Sequence, residues 1–571
     1  MLSVILIWSY MFLTMFLTGY AFLRLVSARL EYRIRHVDTY VVCGLVLMTV
    51  YAQFFSLFYK VGLAANLLLC IVCAVIILRY RKELGTVAAE ILCLDKKEKR
   101  TVERGRRMVV LFLFFLFAYG TSRGWIHYDT GLYHAQSIRW IEEYGVVKGL
   151  GNLHCRLAYN SASFALSALY SMAFLGGQSF HCAAGLTAWI LAKVCAEIGE
   201  SIQKRSLRVS DYARVMGVYY LVNIFDEMVS PASDYFMVLL AFYIIIRWLD
   251  LLDQKEQNLC PYALLCLTGV FLITVKLSAA LILLLTCYPA YYLLRDRKWK
   301  QSMGWLGLGI LIAVPYFIRN ILISGWLVYP FTAIDLFNVR WKIPKGLAEY
   351  DAKEIKVWGR GYQDVTQYDR SIREWLPEWF QKLQGADKLF VLLALLAVGV
   401  LLFYIVGMIF RWWNRDWGLV CVQATMAASL LFWLFTSPLI RYGCVYAYLT
   451  PAVVFGGILV HLTEGIGKHR YRWKLLCILG VSLLLVYKTV ALAREIYRDH
   501  TNQYWVLQKD YENYEVVSYE IEGETFYYPL EGDQVGYESF PSSPAKAGIR
   551  FLGQGIAEGF ESVVQNRNGK E

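Results

Sequence analysis

The sequence predicts an all-α polytopic membrane protein with about 14 transmembrane helices. Hydrophobic residues make up 58% of the 571 residues, and charged residues make up only 18%, below the roughly one quarter typical of soluble proteins. Apolar runs long enough to span a bilayer recur along the chain. Lys and Arg lie in short clusters between these runs, as they do in cytoplasmic loops. The net charge of +12 therefore reflects basic cytoplasmic loops, and no nucleic-acid partner is expected.

The basic clusters assign a side of the membrane to each apolar run. Clusters at residues 24–35 and 79–107 place the loops after the first and third runs in the cytoplasm, so the fourth run delivers residues 121–160 to the outer face. The later basic clusters fall on the same cytoplasmic side, which leaves the C-terminal tail outside. The predicted spans lie near residues 4–23, 39–58, 63–79, 108–124, 180–198, 212–228, 235–252, 260–275, 277–294, 303–320, 389–410, 417–436, 443–463 and 475–492.

Two helices outside the spans, a folded tail and a division into five regions follow from this topology. The apolar run at 161–174 is expected to lie along the outer interface or to be re-entrant, because only one crossing fits between its flanking basic clusters. An amphipathic helix is expected at 371–383, and alternating aromatic and turn residues in the tail predict a small strand-and-turn cap. The regions are N-terminal transmembrane helices with a basic cytoplasmic loop (1–107), a transmembrane core with outer loop 121–178 (108–320), an outer segment (321–388), C-terminal transmembrane helices (389–492) and an extracytoplasmic tail (493–571).

Five charged residues from separate segments are all predicted at the outer ends of spans, and they are Asp129, Asp234, Lys276, Arg319 and Arg441. Charged groups in or beside lipid are costly, and they pair with one another or line a polar cavity. A carboxylate that faces several cations at one depth indicates an anionic ligand held near a general base. Arg suits a lipid-linked phosphate because it engages two phosphate oxygens at once. We therefore expect these residues to converge.

Four of these five residues also have a structural interpretation. Asp129 is a candidate N-cap for a helix that begins at Thr130. Lys276 is able to snorkel towards the membrane surface. Arg319 and Arg441 are each able to cap the carbonyl groups at a helix C-terminus.

The outer loop and its neighbours offer further polar groups. We assign His127, Tyr128, His134 and Asn160 as substrate contacts. The histidines lack the spacing of zinc ligands, which favours hydrogen bonding or substrate contact over metal binding. No metal site is predicted. A divalent cation held by Asp129 with residues 226, 227 and 234 is an open alternative, although these carboxylates form no tight sequence cluster.

The segment after Asp129 has helical amphipathicity. Its apolar side, formed by Leu132, Ile138, Trp140, Ile141 and Tyr144, is expected to face lipid, while the side with Gln136, Arg139 and Glu143 is expected to face water. Such a helix would lie in the membrane interface and set Asp129 at the height of the lipid headgroups.

These features resemble the C-type (GT-C) glycosyltransferase superfamily. In WIHYDTGLYHAQSIRWIEEYG, Asp129 stands in the acidic position of the first outer loop, and SASFALSALYSMAFLGG resembles the last interfacial helix of that loop. The stretches DTGLYHAQSIRWIEEYGVVKGLGNLH, TVKLS, RNILISGWLVYP and GDQVGYESFPSSP are similar to uncharacterised bacterial membrane proteins associated with surface polysaccharide synthesis. Two departures are three extra spans before residue 108 and the lack of an acidic neighbour to Asp129.

The resemblance implies an active site on the extracytoplasmic face of a bacterial inner membrane. Asp129 would deprotonate an acceptor hydroxyl, and Lys276, Arg319 or Arg441 would hold the departing lipid phosphate. The implied partners are a polyprenyl-phosphate-linked sugar, a glycan acceptor and the lipid bilayer.

Two alternatives come from other functional classes. One is a lipid-linked oligosaccharide transporter or flippase, which would need polar residues through the middle of its spans. The other is a non-catalytic polysaccharide assembly factor that uses the 321–388 segment and the tail as docking surfaces. The concentration of charge at the outer ends favours the enzyme.

Overall fold

The computed structural model describes residues 1–30, 32–92, 100–410, 416–465, 470–498 and 504–563, and within these ranges the chain is mostly helical. The helices of the first half are α1 (Leu2–Leu30), α2 (Val37–Ser56), α3 (Leu63–Leu92), α4 (Arg100–Ser122), α5 (Ala135–Glu143), α6 (Ala162–Tyr170), α7 (Ala183–Ala196), α8 (Ile198–Gln203), α9 (Val209–Asn223) and α10 (Ser233–Asp253). Those of the second half are α11 (Cys260–Val275), α12 (Cys287–Arg295), α13 (Trp299–Ser324), α14 (Lys345–Gly359), α15 (Ile372–Lys382), α16 (Gly385–Ile409), α17 (Trp417–Thr436), α18 (Ile440–Gly465) and α19 (Arg470–Arg498).

The helices confirm a multi-pass membrane protein. Within the described residues, ten helical segments are long and apolar enough to cross a membrane, and shorter apolar helices occupy Arg107–Ser122, Ala162–Leu175 and Cys260–Val275. Each of the fourteen predicted spans coincides with a helix, and the count of fourteen crossings stays a prediction. The helix expected at 371–383 is α15, which buries Trp375 and Trp379.

Two glycines allow α1 and α2 to cross at close range. A Cβ atom on Gly19 would lie 1.9 Å from the carbonyl oxygen of Tyr40, and one on Gly44 would lie 1.8 Å from the carbonyl oxygen of Met15. Helices in membranes associate through such small residues, because lipid supplies no hydrophobic drive between them. Any larger side chain at these positions would separate the two helices.

A buried ion-pair network joins the ends of α2, α7, α9 and α10. Arg247 contacts Asp38 at 2.8 Å and Glu197 at 2.7 Å, while Lys193 contacts Asp38 at 2.6 Å. Arg214 adds a 2.7 Å contact to Asp250. Arg247 lies 13 residues after Asp234 in α10, which corresponds to about 20 Å of helix. The network therefore lies at the opposite end of the bundle from the predicted site.

The structure corrects two expectations for the outer loop, a lipid-facing side on α5 and an interfacial position for α6, while the alternative that the α6 run is re-entrant stays a prediction. All nine residues of α6 are buried within the protein, so this short helix does not lie along the lipid surface. In α5 the apolar side packs on α6, and Trp140 also contacts Phe540 and Phe560 of the tail. Gln136, expected to face water, is also buried. The sequence pattern located the apolar side correctly, but the covering surface is protein.

The tail forms the strand-and-turn structure that its sequence predicts. Strands β1 (Val516–Ile521) and β2 (Glu524–Pro529) pair antiparallel, and β3 (Ile549–Phe551) pairs antiparallel with β4 (Phe560–Ser562). The tail also reaches the start of the chain, because the backbone N–H groups of Leu2 and Ser3 donate to the carbonyls of Trp505 and Val506. The two ends of the described chain therefore lie at the same end of the bundle.

Candidate active site

Four of the five predicted charged residues meet in one cluster. Arg441, at the start of α18, contacts Asp129 at 2.7 Å and Asp234 at 3.7 Å. Lys276, between α11 and the 3₁₀ segment Leu277–Thr286, also pairs with Asp234. The cluster therefore alternates two carboxylates with two cations drawn from four separate segments.

The geometry decides between the alternatives for Asp129 and Lys276. Asp129 precedes a π-helical turn, Thr130–His134, but its side chain makes no capping hydrogen bond. It faces Arg441 instead. The ammonium of Lys276 is bound to Asp234 and lies 3.6 Å from the ring centre of Tyr442, so it does not extend freely towards the membrane surface. Both residues therefore have site contacts in place of their simpler structural roles.

The charge of Asp129 is set by two opposing effects. Burial favours the neutral acid, but nearby positive charge, above all that of Arg441, lowers the pKa of Asp129 below its ordinary value. The carboxylate is therefore ionised throughout the neutral pH range. An ionised carboxylate beside a guanidinium is suited to accept a proton while the cation stabilises an anion.

Two histidines of the loop, His127 and His134, are neutral groups of the site. Burial lowers the pKa of His127 to about 4 and that of His134 well below its ordinary value. Nη1 of Arg441 lies 2.5 Å from Nε2 of His127, and the backbone N–H of Asp129 lies 3.1 Å from Nδ1 of the same ring. His134 lies behind Asp129 and contacts Thr130 at 3.2 Å. His127 thus contacts and orients Arg441, whereas His134 lines the buried side of the site around Asp129.

Arg319 and Asn160 lie outside this cluster, which corrects the expectation that all three cations surround one carboxylate. Arg319 donates from Nε to Oδ1 of Asn160 at 2.8 Å and from Nη1 to Ser56. Asn160 also donates to Asn320 at 2.9 Å. Both residues are buried between α2 and α13. The sequence places Arg319 at the end of a span, but rotation around the helix axis points it at α2.

The carboxylates considered for a divalent cation are held by other groups. Asp226 lies 3.5 Å from Arg123, Glu227 accepts from Tyr235, and Asp234 is bound by Lys276. Within the described ranges, three metal-ligating groups approach one another only at His36, Asp38 and Glu197, where Arg247 and Lys193 bind the same carboxylates.

A family model covers most of the chain, including this cluster. The model is described as a domain of unknown function, DUF8201, and it matches residues 1–448. The chain belongs to the DUF8201 family. No curated protein matches the chain. The DUF8201 match contains every predicted site residue and ends within α18, so α19 and the tail lie beyond it.

The part of this DUF8201 protein beyond the family match covers the Asp129 loop. Tyr128, predicted as a substrate contact, donates to Asp533 of the tail. The backbone N–H groups of Val535 and Gly536 both donate to the carbonyl of Gly131 at 2.9 Å. These contacts hold the π-helical turn that follows Asp129. The tail is therefore part of the wall of the candidate site.

Several residues near Asp129 were not identified from the sequence. Tyr442 is adjacent to Arg441 and covers Lys276, and Tyr133 packs against His134 at 4.4 Å between ring centres. Arg156 contributes positive charge to Asp129 and pairs with Glu354 of α14 at 3.0 Å. The polar loop that contains Arg156 is evident in the sequence. Glu354, the partner of Arg156, lies about 200 residues further along the chain, and no periodic pattern in the sequence connects the two.

Docking of the tail is expected to weaken as the pH rises. Glu142 of α5 accepts from Tyr537 at 2.5 Å and from Ser179 at 2.9 Å, and burial raises its pKa from 4.5 to about 7. The stability contributed by protonated Glu142 is complete below pH 4.5 and is lost as the pH rises through 7. The loss is at most about 3 kcal/mol. Hydrogen exchange of residues 533–540 at pH 5 and pH 8 measures it.

The Glu142→Gln variant separates this effect from the general influence of pH on exchange. Its neutral amide is expected to remove the difference in tail protection between pH 5 and pH 8, after correction for intrinsic exchange rates. Glu143→Gln, at the exposed neighbouring position, is the matched control and is expected to behave as the wild type. Equal behaviour of the two variants would contradict a role for Glu142 in tail docking.

Proposed function

We propose that this protein is a GT-C-type membrane glycosyltransferase. It transfers a sugar from a polyprenyl-phosphate donor to a surface glycan on the extracytoplasmic face of a bacterial inner membrane. The proposal includes fourteen membrane crossings, with the Asp129 cluster at the outer end of the bundle. The observation that carries it is the meeting of Asp129, Asp234, Lys276 and Arg441 from four separate segments.

Asp129 is the general base of the proposed reaction. One of its carboxylate oxygens faces Arg441, and among the described residues no hydrogen bond reaches the other oxygen. The side chain keeps 14% of its surface exposed, so an acceptor hydroxyl has access to it. The hydroxyl oxygen bonds to the anomeric carbon of the sugar while its proton passes to Asp129. Solvent then receives that proton.

Arg441 and Lys276 stabilise the leaving group. The bond between the anomeric carbon and the phosphate oxygen breaks, and its electron pair stays with the phosphate as additional negative charge. Preorganised cations lower the energy of such a transition state most effectively where water is excluded. Arg441 keeps 32% of its side-chain surface exposed and is the more accessible of the two. Asp234 holds Lys276 in position.

Reconstitution tests the proposal directly. The full-length protein in proteoliposomes is supplied with polyprenyl-phosphate sugars that carry radiolabelled sugars, and with surface glycan from a strain that lacks the gene as acceptor. We expect label to enter the glycan, with one polyprenyl phosphate released for each sugar transferred. Nucleotide sugars are the matched control donors and are expected to give no transfer.

Two outcomes would contradict the enzyme. Movement of the lipid-linked sugar across the bilayer without release of polyprenyl phosphate would identify a transporter. Restoration of surface glycan in the deletion strain by a variant without Asp129 would identify an assembly factor.

A further inference from the structure

A second recess lies beside the end of α19 that leads towards the tail. Its volume is about 730 Å³, and its walls include Trp125, Asp226, Tyr487, Arg494, Arg498 and Lys509. It shares a wall with the candidate active site, because Ser230 Oγ donates to the carbonyl of Trp125 and accepts from the backbone N–H of His127. The proposed reaction does not use this recess.

Two cations of the recess, Arg494 and Arg498, are not bound by other groups of the described chain. Arg494 and Arg498 are one helical turn apart on α19, and both are exposed. Among the described residues neither makes an ion pair or a hydrogen bond. By contrast, Lys509 is bound by the carbonyl of Gly124 at 3.1 Å and by Glu512 at 3.2 Å. The two arginines therefore face the recess with their charges available.

The carboxylates of the recess do not neutralise these arginines. Asp226 is 3.5 Å from the buried Arg123, and Glu495 interacts with Asp226. Counting Arg123, Arg494, Arg498 and Lys509 against Asp226, Glu495 and Glu512 leaves one positive charge in excess. An anion is the ligand that this arrangement attracts.

The surroundings indicate a ligand that comes from the membrane. Only 6% of the most apolar stretch of α19 is buried within the protein, so lipid has access along the helix that carries both arginines. Exposed aromatic residues, Trp125, Tyr487, Tyr497 and Trp505, surround this end of α19. Aromatic side chains of this kind concentrate at the depth of the lipid headgroups. Arginine is also depleted on the outer side of membrane proteins, where the proposed topology places this pair.

We propose that this recess binds the phosphate group of an anionic membrane lipid, with Arg494 and Arg498 as its principal ligands. Guanidinium groups engage phosphate oxygens in pairs, and two of them one turn apart are able to hold one phosphate from both sides. The lipid chains extend along the exposed face of α19. Binding does not require sugar transfer, so the recess remains testable whether or not the protein is a glycosyltransferase.

Native mass spectrometry of the full-length protein in detergent measures this binding. Phosphatidylglycerol, a polyprenyl phosphate and phosphatidylcholine are titrated separately. We expect at least one of the two anionic lipids to bind about tenfold more tightly than phosphatidylcholine. The double variant Arg494→Gln/Arg498→Gln is expected to lose about 30-fold of that affinity, since each cation near a lipid surface contributes roughly a factor of five.

Two further variants control for charge and for folding. Arg472→Gln/Lys474→Gln removes the same charge from the other end of α19 and is expected to change the affinity by less than about twofold. Arg494→Lys/Arg498→Lys retains the charge but loses the paired guanidinium donors, so it is expected to bind more tightly than the glutamine double variant and less tightly than the wild type. A preference for the polyprenyl phosphate identifies a carrier lipid, and a preference for phosphatidylglycerol identifies a bulk lipid. Equal binding of phosphatidylcholine, unchanged affinity of the glutamine double variant or an equal loss in the control would overturn the proposal.

Discussion

Replacing Asp129 with asparagine is expected to lower the rate of sugar transfer by about 100-fold to 10,000-fold, the range that a general base contributes. Asparagine has nearly the shape of aspartate but does not accept the proton of the acceptor hydroxyl. The fold is expected to survive the change, because Arg441 keeps its contacts with Asp234 at 3.7 Å and with His127 at 2.5 Å. The measurement is the initial rate of label transfer in proteoliposomes at saturating donor.

Two variants make this result specific to the base. Asp129→Glu keeps a carboxylate, so it is expected to retain more activity than Asp129→Asn. Glu143→Gln removes one negative charge from an exposed position of the same loop and is expected to leave the rate unchanged. Full transfer by Asp129→Asn, in protein that inserts and purifies as the wild type does, would remove Asp129 from the mechanism.

Replacing Asp38 with asparagine is expected to destabilise the protein by about 3 to 5 kcal/mol, the cost of leaving a buried charge without its partner. Asp38 is 3% exposed and contacts both Lys193 and Arg247. The variant leaves Lys193 without its carboxylate and deprives Arg247 of one of its partners. Unfolding in mixed micelles with increasing denaturing detergent measures the change in the free energy of unfolding.

An exposed ion pair of the same chain is the control for Asp38. Asp296 contacts Arg295 at 3.0 Å, and more than a third of each side chain is exposed. Asp296→Asn is therefore expected to change the stability by less than about 1 kcal/mol. Similar losses in the two variants would mean that the buried network contributes no more than a surface pair.

The helices were largely predictable, because the hydropathy and length of a segment indicate whether it spans a membrane without information from the rest of the chain. Each predicted span, from residues 4–23 to residues 475–492, coincides with a helix. The covering of α5 was not predictable in the same way. The sequence of an apolar helix face is the same whether lipid or protein covers it. Here Phe540 and Phe560 of the tail cover Trp140.

The candidate site shows the same division between local and distant information. The sequence predicts that Asp129, Asp234, Lys276 and Arg441 lie at one depth because each is at the end of a span, and the four residues do meet. Depth does not give the rotation of a helix about its axis. For that reason Arg319, which is predicted at a similar depth, contacts Asn160 and Ser56 instead.

The contact between Gln136 and Gly536 joins groups 400 residues apart in the chain. A ribosome that adds 5 to 20 residues per second needs about 20 to 80 s to make the intervening polypeptide. During that interval the apolar face of α5 has emerged without the aromatic rings that later cover it. The nascent protein therefore passes through a stage in which the tail does not yet cover this helix, and only the last part of translation completes the enclosure.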